Sequence, residues 1–128
     1  MRVLLDTQIA LWALTDSPRL SQEARSLILE PANDIYFSAA SIWEIAIKHR
    51  LARHDMPVSG DEAANLCRSA GYIELPVTSI HAATTEALPL HHSDPFDRIL
   101  VAQAKSEPMH LVTHDRMLPQ YGDSILLV

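Results

Sequence analysis

The sequence predicts an α/β fold: a three-layer sandwich with a central parallel sheet of four to five strands flanked by helices. Two observations carry this expectation. Short apolar runs recur at Val3-Leu4-Leu5, Ile35-Tyr36-Phe37, Tyr72-Ile73-Glu74-Leu75, Leu111-Val112 and Ile125-Leu126-Leu127-Val128, without the polar alternation of a half-exposed sheet. Strands buried on both faces read this way. Longer stretches with helical spacing separate the runs, as parallel crossovers require.

The elements follow in order. Val3-Leu4-Leu5 stops at Asp6, and a helix is expected over 7–15. Ser21 suits the start of a second helix over 21–30, ahead of the strand at 35–37. A third helix spans 39–52, and Ser59 before Gly60-Asp61-Glu62 opens a fourth over 60–70. After 72–75 come helices over 79–87 and 95–106. The latter has the clearest start, because Asp94-Pro95 sets a capping residue before a proline at the first helical position. A short helix is expected after Asp115, before the last apolar run.

Composition bounds the rest. At 128 residues, 48% hydrophobic and 20% charged, the chain suits one globular domain spanning 1–128. It has no internal repeat, and its eight prolines sit mostly where segments join. Cys67 is the only cysteine, which excludes an intrachain disulfide and suits core filling better than nucleophilic chemistry. The opening apolar run ends too soon for an export signal, and no run would span a bilayer, so a cytoplasmic, membrane-free protein is expected. A net charge of −6 argues against a broad basic surface for nucleic acid. Chemistry on phosphates would need a local device such as a bound cation.

Open parallel sheets bind ligands beyond the carboxyl ends of their strands. Asp6 and Asp115 stand just after strands, where either alone is adequately explained as a helix cap. Asp97 is harder to explain structurally. At about 100° per residue it falls among Phe96, Leu100, Val101 and Ala104, inside the apolar arc, with Arg98 and Lys105 opposite. A carboxylate directed at a core is costly unless something positive meets it. Asp94 reads first as the cap before Pro95 and second as a supporting acid. Glu44 lies on a narrow stripe with Ser41 and Lys48, which suits equally a solvent-facing edge with a Glu–Lys pair or a helix lining a cleft.

Asp6, Glu44, Asp97 and Asp115 come from separate segments, and each can reach one edge of the sheet. Crowded carboxylates raise one another's pKa. A hard divalent cation removes that conflict, and oxygen donors favour Mg²⁺ or Mn²⁺ over zinc. Such a site suits phosphodiester hydrolysis. Rival constellations are weaker. His91 and His92 are adjacent, so on regular structure they point apart, and no cysteine or Glu-x-x-His partner supports zinc. Three glycines leave no dinucleotide fingerprint, and there is no Walker lysine loop. Trp12 and Trp43 most simply belong to the core, with Trp43 also able to face a dimer partner.

These segments closely resemble the PIN-domain family and, within it, the VapC-type toxins of bacterial toxin–antitoxin pairs. The motifs are Leu4-Leu5-Asp6-Thr7, Ser41-Ile42-Trp43-Glu44-Ile45-Ala46-Ile47-Lys48, the long stretch from His91 through Asp94-Pro95-Phe96-Asp97-Arg98 to Ala104, and Leu111-Val112-Thr113-His114-Asp115. The resemblance implies a PIN-like α/β fold and a Mg²⁺-dependent endoribonuclease, with Mn²⁺ expected to substitute. It implies catalytic and metal roles for Asp6, Glu44, Asp97 and Asp115, a homodimer, an RNA substrate and a cognate antitoxin. Asp97 takes the metal role over Asp94 because it precedes the Ile-Leu-Val-Ala-Gln-Ala helix. After Asp115, Arg116-Met117-Leu118 replaces the acid and aromatic of many relatives. Thr7, Asp94 and Thr113 would support the site, and Lys48 and Arg98 are candidate contacts for substrate phosphates. The rivals are a phosphatase with Asp6 as nucleophile, which would want a second acid where Gln8 stands, and a non-catalytic interaction module.

Overall fold

The computed structural model describes residues 1–52 and 56–128. Its strands are β1 (Arg2–Leu5), β2 (Asp34–Ser38), β3 (Ile73–Leu75), β4 (His110–Thr113) and β5 (Ile125–Leu127). Its helices are α1 (Thr7–Leu14), α2 (Gln22–Leu29), α3 (Ala39–Arg50), α4 (Gly60–Ser69), α5 (Ser79–Thr84) and α6 (Pro95–Ser106). The strands form one parallel sheet in the order β3-β2-β1-β4-β5. β1 lies at its centre, with Leu4 opposite Tyr36 on one neighbour and Leu111 on the other.

Alternation along β1 divides the core. Leu4 and Leu111 pack with Leu100, Val101, Ala104 and Leu118 beneath α6. Val3, Leu5 and Val112 face the other way, against Ile9, Ala10, Leu20 and Ala24 of the α1–α2 side. Successive strand side chains point to opposite faces, so a central strand must be apolar throughout to serve both layers. A third cluster of Leu11, Ile45, Met56 and Ala63 joins α1, α3 and α4. The expected three-layer parallel fold is therefore present, with five strands.

Most expected elements agree to within one or two residues, and the caps follow side-chain chemistry. Ser21 Oγ accepts from the Ala24 N–H, Ser59 and Glu62 form a reciprocal capping box, and Asp94 Oδ1 accepts from the Phe96 N–H ahead of Pro95. Cys67 is buried in α4, and burial pushes its thiol up to about 11, which suits packing and not nucleophilic attack.

Four readings need correction. The helix expected over 79–87 divides into α5 and a 3₁₀ turn, Thr85–Ala87, after which Leu88 is extended. Pro89 excludes the helical conformation of its predecessor. The element after Asp115 is a 3₁₀ turn, Leu118–Tyr121, ended by Gly122 at φ 122°. The edge strands are not buried on both faces, since Ile73 and Leu127 are each over 40% exposed. Trp43 is 64% exposed, although it reads as core by residue type, whereas Trp12 packs on the α1–α2 side as expected. No helix of the described residues is long and apolar enough to cross a membrane.

α3 and α4 approach closely at Gly60, where an added Cβ would lie 3.0 Å from Ala46 Cβ and 3.3 Å from the Ile42 carbonyl oxygen. Gly60→Ala should therefore destabilise the chain by about 1–3 kcal/mol through overpacking, despite alanine's better helix propensity. A thermal melt at or above the parent's would contradict this packing.

Candidate active site

The strand order places β1 between β2, which follows it in sequence, and β4, which comes much later. The order in which strands are added reverses there, leaving a crevice beyond the carboxyl ends of β1 and β4. Asp6 sits directly after β1 and is 5% exposed. Its Oδ1 accepts from the Ile9 N–H at 2.7 Å, capping α1, and its Oδ2 accepts from the Thr113 hydroxyl at 2.5 Å. Thr113 ends β4, and its Oγ1 also accepts from the Asp115 N–H at 3.0 Å. One buried hydroxyl thus ties the two strand ends together. Asp115 Oδ1 in turn accepts from the Met117 N–H. Asp6 is a helix cap and a cleft residue at once, whereas Asp115 caps no helix among the described residues and makes this local turn contact beside the cleft.

α3 delivers Glu44. Ser38, at the end of β2, caps this helix, and Ser41 and Glu44 are buried along it. Glu44 Oε2 meets Lys48 Nζ at 2.7 Å, and the Thr7 hydroxyl donates to Ser41 Oγ at 2.9 Å. The narrow polar stripe therefore faces inward, which resolves the two readings of Glu44 in favour of the cleft. Trp43 and Ile47 are exposed on another flank of α3, and Leu51 is exposed just past its end.

Asp97 lies in the first turn of α6, and Asp6, Glu44, Asp94, Asp97 and Asp115 all line one cavity of 190 Å³, with Thr7, Gln8, Leu11, Lys48 and Met56. A separate apolar groove of 650 Å³ lies between α3, α5 and α6. The smaller one holds the titratable chemistry. Burial pushes the Asp6 carboxyl up to about 6; Thr113 and the Ile9 amide oppose the rise, while Glu44 adds to it. Burial also raises Asp97, to about 7, with the charges of Asp94, Asp6 and Glu44 adding and His92 opposing. The four expected acids are thus brought together, with Thr7 and Asp94 at the same cavity and Thr113 beneath Asp6.

Arg98 departs from expectation. Its guanidinium donates to the carbonyls of Thr85 and Pro89 at 2.7 and 2.8 Å and to the Tyr121 hydroxyl at 3.1 Å. It holds the 85–89 backbone in place and does not line the acidic cavity. His92 is the residue that sequence reasoning passed over. Its Nε2 lies 2.8 Å from Asp115 Oδ2 and 3.4 Å from Asp97 Oδ2. Only its nearness to the start of α6 could have signalled this, because the loop that turns its ring inward has no periodicity to read.

Among the described residues, five carboxylates line this cavity and Glu44 alone has an ammonium partner there. Oxygen donors in excess of positive charge fit a hard divalent cation such as Mg²⁺ or Mn²⁺.

A parallel sheet with an acidic crevice where its strand order reverses defines the class, an α/β protein with a carboxylate-lined cleft, and comparison with known proteins names the family. The PIN domain family model matches residues 3–123, and the chain belongs to this family. Ribonuclease VapC22 of Mycobacterium tuberculosis is 35% identical over 121 residues, covering 91% of this chain and 88% of that protein. Among solved structures, the fold resembles VapBC2 from Rickettsia felis bound to a promoter DNA fragment. The TM-score is 0.72 at 16% identity, over 100% of this chain and 98% of that one. VapBC-1 from nontypeable Haemophilus influenzae gives a TM-score of 0.61 at 17% identity, over 94% and 92%.

Asp6 and Asp97 hold their protons to higher pH when folded than when unfolded. The folded chain therefore binds more protons between about pH 4 and 7, and their contribution to stability is lost as pH rises through that window. In metal-free buffer, Asp97→Asn should flatten this slope and raise stability at pH 8 by about 1–3 kcal/mol. Parallel wild-type and variant profiles of melting temperature against pH would contradict the crowding.

Proposed function

We propose that this chain is a divalent-metal-dependent endoribonuclease and the toxin of a toxin–antitoxin pair. The observation that carries this reading is the convergence of Asp6, Glu44, Asp97 and Asp115 on one cavity at the sheet's reversal point. The relative named as a ribonuclease supports RNA as substrate.

Asp6 and Asp97 are the primary holders of the metal, Glu44 a further ligand or the base for the attacking water, and Asp115 a water-mediated or second-metal ligand. A Mg²⁺ or Mn²⁺ ion held there would supply Lewis acidity toward a phosphate oxygen and a more acidic water. The protein's own part is positioning. Thr113 and the Ile9 amide fix both oxygens of Asp6, and the Thr7–Ser41 bond locks α1 against α3 behind Glu44. Lys48, part exposed at the cavity and reaching Glu44, would meet a phosphate oxygen by a charge-assisted hydrogen bond. A phosphatase with Asp6 as nucleophile would want a second acid where Gln8 lines the cavity.

The 128 residues act as one nuclease domain in the cytoplasm. The VapBC structures support a small antitoxin as partner. The exposed Trp43 and Ile47, one helical turn apart on α3, Leu51 just past its end, and Ile80 on α5 support homodimerisation beside the apolar groove.

Purified protein should cut RNA with Mg²⁺ or Mn²⁺ and stop on chelation, and Asp6→Asn and Asp97→Asn should reduce cleavage to background with their folds intact. Undiminished cutting by both variants would defeat the assignment. Trp43→Asp should shift the chain from dimer to monomer in light scattering; an unchanged mass would remove this face from the interface.

A further inference from the structure

The contacts of His92 form a chain that the acidic quartet does not explain. Its backbone N–H donates to the Tyr121 hydroxyl at 3.1 Å, and Tyr121 is 4% exposed and also receives a hydrogen bond from Arg98. Its ring accepts at Nδ1 from the Asp94 N–H at 3.0 Å. Its Nε2 then meets Asp115 Oδ2 at 2.8 Å, with Asp97 Oδ2 at 3.4 Å. The loop is thus pinned from behind and the ring aimed from both ends.

These contacts fix the tautomer. A backbone N–H can only donate, so Nδ1 accepts, and the proton of the neutral ring sits on Nε2. That matters because one oxygen of Asp97, one of Asp115 and a ring nitrogen of His92 lie within 4.8 Å of one another, close enough for a single ion. A ligating histidine offers a bare nitrogen to the metal and donates from the other one. His92 is arranged the opposite way. It is a donor toward the acids, and a ligand only if the Asp94 contact breaks.

We infer that His92 is a positioning residue that holds Asp115, and more loosely Asp97, by donation from Nε2, and so presets these carboxylates for the metal. The inference rests on the carboxylate–metal reading above. It adds that this site is tuned by a hydrogen bond from outside the ligand set, with Asp94 serving twice: its side chain caps α6 and its amide orients the ring.

Two substitutions separate the ring's two ends. Gln places an amide donor near the position of Nε2, so His92→Gln retains the bond to Asp115. Asn places an acceptor near Nδ1, so His92→Asn retains the turn but loses the donor. Mn²⁺ titrated calorimetrically into the full chain should bind His92→Asn about 10- to 100-fold more weakly than wild type, and His92→Gln within a few-fold of it. Equal affinity in all three, equal loss in both variants, or loss confined to His92→Gln would each overturn the proposal. Metal-free melting temperatures identify a variant that has simply unfolded. The ¹⁵N shifts of the wild-type ring give a second arm that needs no variant: Nε2 should carry the proton, and a proton on Nδ1 would overturn the inference. Wild-type protein that fails to bind Mn²⁺ would defeat the metal reading itself. Normal wild-type binding with an unexpected variant pattern would defeat only the role of His92.

Discussion

Among the described residues, five carboxylates and one ammonium line a cavity of 190 Å³ at the point where a parallel sheet reverses its strand order, and much of the local structure is accounted for by that crowding. Buried carboxylates tolerate ionisation only when donors or cations meet them. The chain supplies donors one at a time: the Ile9 amide and Thr113 hydroxyl to Asp6, Lys48 to Glu44, the Phe96 amide to Asp94, and the Met117 amide and His92 to Asp115. Asp97 receives least, and its carboxyl is pushed furthest above the ordinary range. This residual imbalance is what a divalent ion would relieve.

The same economy explains why capping and chemistry coincide. Asp6 caps α1, Asp94 caps α6, and Asp115 accepts from the amide two residues on. A helix start presents unsatisfied N–H groups and the positive end of the peptide dipole, so it is where a carboxylate is least costly to bury. Parallel crossovers bring several such starts to one edge of the sheet. A cap and a site residue are therefore not competing explanations for an acid here.

The sheet was legible because its central strands must serve two apolar layers, which removes the period-two signal and leaves plain runs such as Val3-Leu4-Leu5. Helix starts at Ser21, Ser59 and Asp94 were legible because capping is local chemistry. The facing of Asp97 was readable from the wheel of α6, since Leu100, Val101 and Ala104 are buried around it. What escaped depended on contacts distant in sequence. Arg98 reads as a free cation until the Thr85, Pro89 and Tyr121 oxygens are folded around it. Trp43 reads as core by residue type, yet α3 turns its polar stripe inward and its aromatic outward. His92 sits in a loop where spacing carries no directional information.

The long third motif was the most informative segment, because it joins a cap, a proline, an acid and an apolar helix in one stretch. It pointed to the PIN family, which the match over residues 3–123 establishes. The solved relatives keep the fold at 16% and 17% identity, so topology outlasts most of the sequence that encodes it. What has to be retained is the arrangement of strand ends, and in this chain that arrangement fixes where the acids meet.

The most direct measurement is a crystal structure with Mn²⁺ located by its anomalous scattering. A peak is expected in the acidic cavity, within bonding distance of oxygens from Asp6 and Asp97 and bordered by Glu44 and Asp115. A cavity without a peak at saturating Mn²⁺, or an ion bound only outside this crevice, would contradict it.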